Sequence, residues 1–418
     1  MAEQPIQWTK NKFRTGLRAK TRLEEILPAE LPRKIRRFHR QLPGYRMSPL
    51  KSLSNLAAKF GLGGIWVKDE SARLDLQSFK VLGGSYAIYK LLQKRLGLED
   101  QELSFADLTN GTMREKLGEI TFAAATDGNH GRGVAWSAAQ MGFKSVIYVH
   151  KLTSKDRIQA IEQSGARVVV VDGNYDDAVR QVSQDAKQNS WEVVSDTSWE
   201  GYEDIPKWVM QGYTTMLSEA QEQLAAQGRS QPTHIFVQAG VGSLAAATIG
   251  FYHNLFGDSI QTCVIEPTKA ACLFRSAQAE DGLPHSVEGD LDTIMAGLAC
   301  GEPNPIAWQI LKDRAGYFAT CPDYVAAMGM RVYGIPLKGD PVIISGESGA
   351  VTLGALRYIM RHSCANDLRE QLGLGPDSHV LLINSEGNTS PDDFRYVVWE
   401  GGVPIPEEYK MYSPGASF

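Results

Sequence analysis

The chain has few cysteines, no long apolar run and no excess of positive charge. Its five cysteines, Cys263, Cys272, Cys300, Cys321 and Cys364, are odd in number and include no C-x-x-C pair. Neither a zinc site nor a secreted disulfide framework is indicated, and no metal is expected. Most should be buried thiols; Cys272 and Cys300 would meet only if their segments pack side by side. No window approaches the ~20 apolar residues of a membrane span, and Met1 to Lys10 holds no apolar core of signal-peptide length. With 43 Lys+Arg against 48 Asp+Glu, net charge -5, there is no basic field for nucleic acid. The one basic run, Arg33-Lys34-Ile35-Arg36-Arg37-Phe38-His39-Arg40, reads as a solvated helix face. A soluble cytoplasmic protein with no nucleic-acid or membrane partner is expected.

What is present is core-forming material in alternation. The 418 residues are 43% hydrophobic, enough for two domains with substantial cores. Through the middle of the chain, apolar runs of strand length alternate with helical periodicity, the pattern of a parallel sheet with crossover helices. Strands are expected at 120–124, 145–149, 167–171 and 191–195, separated by helices at 131–141, 154–164 and 174–188. Ser154 is the N-cap of the second of these helices and Gly165 its stop. A further sheet is expected from 234–238, 262–266 and 380–384, with a small-residue helix at 243–250. Residues 97–118 break this rhythm and read as a surface insertion with one short helix. The simplest arrangement is a larger domain built from both chain ends, 1–84 and 225–418, with a smaller α/β domain, 85–224, inserted.

Three motifs carry chemistry. Lys80 lies in Gln77-Ser78-Phe79-Lys80-Val81-Leu82-Gly83-Gly84-Ser85, and a lysine amine can hold a cofactor aldehyde as a Schiff base. The glycine turn Ala239-Gly240-Val241-Gly242-Ser243 follows a strand and opens a helix, so the backbone N–H groups of Gly240, Val241, Gly242 and Ser243 can meet an anion at the positive helix end. The turn lacks the third glycine of a dinucleotide fingerprint and the lysine-serine pair of a P-loop, and so suits one phosphate monoester. Between strand and helix lies Thr126-Asp127-Gly128-Asn129-His130-Gly131. Thr126, Asp127, Gly128 and His130 form a candidate carboxylate-binding loop, and Asn129 offers an amide to a phenolic oxygen. His130 reads as a packing group rather than a base. Asp127 breaks the local rule, since an acid beside a substrate carboxylate is repulsive and would see its pKa raised.

Taken in this order, the motifs resemble those of the fold type II, tryptophan-synthase-β-like family of pyridoxal phosphate enzymes. The resemblance extends from Gly44-Tyr45-Arg46-Met47-Ser48-Pro49-Leu50 through Ser195-Asp196-Thr197-Ser198-Trp199, Ser345-Gly346-Glu347-Ser348-Gly349 and Ser385-Glu386-Gly387-Asn388-Thr389. It implies an α/β fold of two three-layer αβα domains and a homodimer. The usual family pattern has a neutral residue where Asp127 stands; that substitution, with Asp196, resembles the family's ammonia-releasing branch acting on 2,3-diaminopropionate. The implied reaction is an α,β-elimination to pyruvate and two ammonia from either isomer. Lys80 would carry pyridoxal 5'-phosphate, Asn129 would bond its phenolic oxygen, and Gly240 to Ser243 would hold its phosphate. Asp127 would remove the α-proton of the D-isomer and Asp196 that of the L-isomer, because the two protons face opposite sides of the cofactor. Ser385, or else Asn384, would meet the pyridine nitrogen, and Glu347 would line the ring or only form the turn.

Three rivals remain. A serine or threonine dehydratase of the same fold needs no acid after Thr126. A non-catalytic amino-acid-binding protein has no use for Lys80, Asn129 and the phosphate turn together, and a nicotinamide dehydrogenase requires the full glycine fingerprint.

Overall fold

A computed structural model of the chain describes residues 6–15, 22–126, 128–151 and 153–410. Among them are eleven strands: β1 (Gln7–Lys10), β2 (Leu50–Ser52), β3 (Gly64–Asp69), β4 (Thr121–Thr126), β5 (Lys144–His150), β6 (Arg167–Val171), β7 (Glu192–Val193), β8 (His234–Gln238), β9 (Gln261–Pro267), β10 (Tyr317–Cys321) and β11 (His379–Asn384). They form two sheets, ordered β1-β10-β9-β8-β11-β3-β2 and β6-β5-β4-β7. The smaller is wholly parallel. The larger is parallel through β10, β9, β8, β11 and β3, with β1 and β2 antiparallel at its two edges.

Period-two alternation sends the two faces of each sheet into different cores. In the larger sheet Trp66, Val237, Val264 and Leu381 join one cluster, while Ile65, Val67, Phe236 and Leu382 join another. In the smaller, Phe122, Ala124, Ile147 and Val149 pack with the 129–140 helix, and Ala123, Ala125, Val146 and Tyr148 with the 175–189 helix. Both sheets are therefore sandwiched between helices, the three-layer α/β architecture anticipated from sequence.

The expected elements recur with shifted ends. β4 runs on to Thr126 because its parallel pairing with β5 continues to Thr126–Val149. The helix expected from 131 begins at Asn129, because the Thr126 hydroxyl accepts from the N–H groups of Gly128 (2.8 Å) and Gly131 (2.9 Å) and caps its first turn. Ser154 caps the 155–163 helix as expected, accepting from Arg157 N. The segment 97–118 holds two short helices, Phe105–Thr109 and Gly111–Leu117, not one; Asn110 stops the first and caps the second. The basic run forms the Leu31–His39 helix, burying Ile35, Phe38 and His39 and exposing Arg33, Lys34, Arg37 and Arg40. The five cysteines are thiols, all buried except Cys364. No described helix is long and apolar enough to cross a membrane.

One cluster was not anticipated. Lys68 on β3, Glu70 and Arg73 beyond its end, and Glu219 on the Thr214–Ala226 helix are fully buried. Glu219 accepts from Lys68 Nζ (2.8 Å), Arg73 Nη2 (2.6 Å) and Tyr45 Oη (2.6 Å), while Arg73 Nε donates to Glu70 (2.7 Å). Burial alone would push the Glu219 carboxyl up, but Arg73 and Lys68 hold it below the usual carboxylate range. Two cations and two anions thus neutralise one another inside the core. Removing one member leaves an uncompensated buried charge, so Glu219→Ala should cost about 3–5 kcal/mol. Urea unfolding followed by circular dichroism measures this, and a loss below about 1 kcal/mol would show the cluster to be dispensable.

Candidate functional site

The site lies beyond the carboxyl ends of parallel strands from both sheets, the usual ligand position in open α/β sheets. β8 ends at Gln238 and passes through the glycine turn into the Ser243–Phe256 helix; β11 ends at Asn384 and delivers Ser385 and Glu386. Two more helices begin at the same place, Lys80–Leu96 and Asn129–Gln140. They are brought together by backbone contact: a Cβ added at Gly133 would lie 2.8 Å from Val81 Cα. Any side chain there would push Lys80 and Asn129 apart.

Lys80, Asn129, Asp196, Gly240 to Ser243 and Ser385 line one open-mouthed cavity. Thr126, Gly128 and His130 are not on its wall. The Thr126 hydroxyl is engaged in the helix cap, and His130 Nε2 lies 2.7 Å from Val194 O. Asp127 lies outside the described residues. Asn384 turns away, its amide donating to Asp69 (2.8 Å) and Ile344 O (3.2 Å), whereas Ser385 faces the cavity. Glu347 faces a neighbouring cavity, and burial together with nearby Glu386 pushes its carboxyl up to about 7.

Asp196 is the electrostatic centre. Its Oδ2 is 3.3 Å from Lys80 Nζ, and its Oδ1 accepts from the Tyr175 hydroxyl at 2.9 Å. Burial would raise its pKa, but the charge of Lys80 foremost, with His130 and the Tyr175 hydrogen bond, holds the carboxyl down at about 2. Its backbone is clamped to the glycine turn: Ser243 Oγ donates to Asp196 O at 2.7 Å, and Asn304 Nδ2 donates to both Asp196 O (3.0 Å) and Ser243 Oγ (2.9 Å).

Sequence reasoning missed Tyr175, Asn304, Gln238 and Glu386. Glu386 Oε2 receives the Asn129 amide at 2.5 Å, which fixes Asn129 with its Nδ2 donor toward the cavity. None of the four sits in a motif of its own, although Gln238 adjoins the glycine turn and Glu386 adjoins Ser385.

The family model of the pyridoxal-phosphate dependent enzymes matches residues 42–386. Diaminopropionate ammonia-lyase of Escherichia coli (strain K12) is 49% identical over 368 residues, 88% of this chain and 90% of that protein. The crystal structure of the Escherichia coli enzyme in complex with D-serine superposes with a TM-score of 0.89 at 45% identity, covering 96% of this chain and 98% of that one. The same enzyme with an aminoacrylate-PLP azomethine reaction intermediate gives 0.86 at 44% identity, covering 95% and 98%.

The residues present fit that family's cofactor. An amine stands at the cavity wall for the aldehyde, and a turn at a helix N-terminus, where the first N–H groups have no acceptor within the helix, stands ready for a phosphate. Gly242 has φ +102, and a Cβ there would lie 3.2 Å from the side chains of Leu273 and Leu311. Gly242→Ala should therefore strain the turn, and Gly242→Asp should add a negative charge where a phosphate dianion must sit. The aspartate variant is expected to lose pyridoxal phosphate on gel filtration while the alanine variant keeps part of it. Equal retention in the aspartate variant and the parent would place the phosphate elsewhere.

Proposed function

Because the chain belongs to the pyridoxal-phosphate dependent enzymes, we propose that it eliminates ammonia from 2,3-diaminopropionate of either hand, which with one water gives pyruvate and two ammonia. The observation that carries this reading is a buried, ionised Asp196 paired with Lys80 at the cavity wall, in a chain 49% identical to a diaminopropionate ammonia-lyase.

Bound pyridoxal phosphate supplies an electron sink that acidifies the α-carbon of an amino acid joined to it. Every other part of the work falls to side chains and backbone. Lys80 holds the aldehyde carbon through its Nζ. Asn129, its amide oriented by Glu386, donates to the phenolic oxygen, the N–H groups of Gly240 to Ser243 hold the phosphate, and Ser385 meets the pyridine nitrogen. Thr126, Gly128 and His130, with Asp127, shape the loop that receives the substrate carboxylate. Asp196 abstracts the α-proton of the L-isomer and Asp127 that of the D-isomer. The weak basicity of Asp196 in the lysine-paired state does not oppose this role. The charge of Lys80 is what chiefly holds Asp196 down while burial alone would raise it, so loss of the proton on that amine would make the carboxylate a stronger base.

The reading carries further expectations. Residues 85–224 would form the smaller, inserted domain, supported by a four-stranded sheet confined to 121–193. The boundary between 84 and 85 crosses the Lys80–Leu96 helix, so that helix would serve as the connection. A cytoplasmic setting suits five thiols with no disulfide. A homodimer is proposed on the family resemblance alone.

Lys80→Ala should abolish turnover and the visible absorption that borohydride bleaches in the parent. Peptide mapping after reduction checks the attachment, and recovery of the cofactor on another lysine would refute it. Asp127→Asn should lose activity mainly on the D-isomer and Asp196→Asn mainly on the L-isomer, each by ~100- to 10,000-fold. Pyruvate release from both isomers, with both serine isomers as controls, reads this directly. Equal loss on both isomers in both variants would sink the two-base assignment and leave the cofactor assignment standing.

A further inference from the structure

Gln238 closes β8 at the entrance to the glycine turn and is fully buried. Its side chain reaches across to β11, where Nε2 donates to Ile383 O at 3.1 Å and to Ser385 Oγ at 2.8 Å. The Ile383 carbonyl decides which end of the amide is which, because turning Oε1 toward it would set two acceptors face to face. With Nε2 so fixed, Ser385 Oγ is the acceptor in its contact with Gln238, and the serine proton must point elsewhere. Both side chains line the cavity. Among the described residues the Ser385 hydroxyl has no other hydrogen-bond partner, so its proton points into the cavity.

A hydroxyl alone is ambiguous, since it can rotate to donate to a bare ring nitrogen or to accept from a protonated one. Gln238 removes that choice. We propose that Gln238 is a positioning residue that commits Ser385 to donating, so that the pyridine nitrogen of the cofactor is held in its unprotonated form. The inference rests on the proposed function, which puts Ser385 at that nitrogen, and extends it to a residue that itself need not touch the ring. Two neighbouring dyads would then address two positions of the cofactor ring: Gln238 with Ser385 the nitrogen, and Glu386 with Asn129 the phenolic oxygen. In both, a second residue fixes the donor direction of the first.

The test uses full-length protein reconstituted with pyridoxal phosphate carrying ¹⁵N in the ring, and reads two quantities besides turnover: the ring-nitrogen chemical shift and the cofactor dissociation constant. In the parent, the shift should be that of an unprotonated, hydrogen-bonded pyridine across the neutral range. Gln238→Met and Ser385→Ala should each weaken cofactor binding about three- to tenfold, the worth of one hydrogen bond. Gln238→Met should also move the shift toward the protonated form at the same pH. Because Gln238 acts through Ser385, the double variant should bind no more weakly than Ser385→Ala alone. Gln238→Glu keeps the shape but presents only acceptors when ionised, and carries the same test should the methionine variant not fold.

Multiplying losses in the double variant, an unchanged shift in Gln238→Met, or a protonated ring nitrogen in the parent would each overturn the inference while leaving the proposed elimination intact. A parent that takes up no pyridoxal phosphate would overturn both.

Discussion

The buried charge cluster of Lys68, Glu70, Arg73 and Glu219 is the constraint on which the placement of Lys80 depends. It sits where β3 ends, and the chain leaving it does something unfavourable: Leu74, Asp75 and Gln77 all adopt positive φ, at 50°, 57° and 57°. Three non-glycine residues in that region within four positions are costly on their own, each on the order of 1 kcal/mol or more. The segment holds because both ends are tied. Arg73 anchors it to Glu70 and Glu219, and downstream Arg132 Nη1 donates to Leu76 O (3.0 Å), Gly387 N to Gln77 O (2.8 Å) and Phe79 N to Ser385 O (3.2 Å). The strain is stored immediately before Lys80, which therefore enters its helix from a fixed direction.

Helix starts, more than side chains, make the site. Helices beginning at Lys80, Asn129 and Ser243 direct their N-terminal ends at one cavity, and their summed partial positive charge favours an anionic occupant. Against that field the cavity places two carboxylates of its own. Asp196 is balanced by Lys80 and Tyr175, while Glu386 is taken up by Asn129 and by the N–H of Ser348 (3.2 Å). Each acid is thus held by an identifiable donor, and the turn at Gly240 to Ser243 has no acid of its own.

How much of this could be read beforehand depended on distance along the chain. The β4 to β6 unit and the turns after β4 and β8 were legible because strand, glycine and helix start lie within ten residues of each other. β1, β2 and β10 were not: β1 and β2 are edge strands of four and three residues, too short to show a period-two pattern, and the partner of β1 lies far along the chain at β10. β3 was hidden for another reason. Lys68 and Asp69 end its apolar run, and a charged pair reads as surface until Glu219, 151 residues on, neutralises the lysine. The site shows the same division. Lys80, Asn129 and the glycine turn announce themselves by motif, whereas Tyr175, Gln238 and Asn304 are ordinary residues on a helix, a strand and a cap, and only folding brings the first two to the cavity and Asn304 to residues that line it.

Asn304 shows what this hidden layer does. Its amide bridges Asp196 O and Ser243 Oγ, and its carbonyl oxygen accepts from Ser198 at 2.6 Å and from Ile306 N at 3.1 Å, capping the Pro305–Arg314 helix. One fully buried side chain therefore joins the segment that carries the acid, the turn that would carry the phosphate and a helix of the larger sheet's core. Because Ser243 donates to Asp196 O, the serine of the turn is spoken for through its hydroxyl and has only its backbone N–H to offer a phosphate. The position of Asp196 and the position of the turn are thereby mechanically linked. A phosphate seated in that turn would be tied to the Asp196 backbone through Ser243 and Asn304, with no contact between the two needed to fix their spacing.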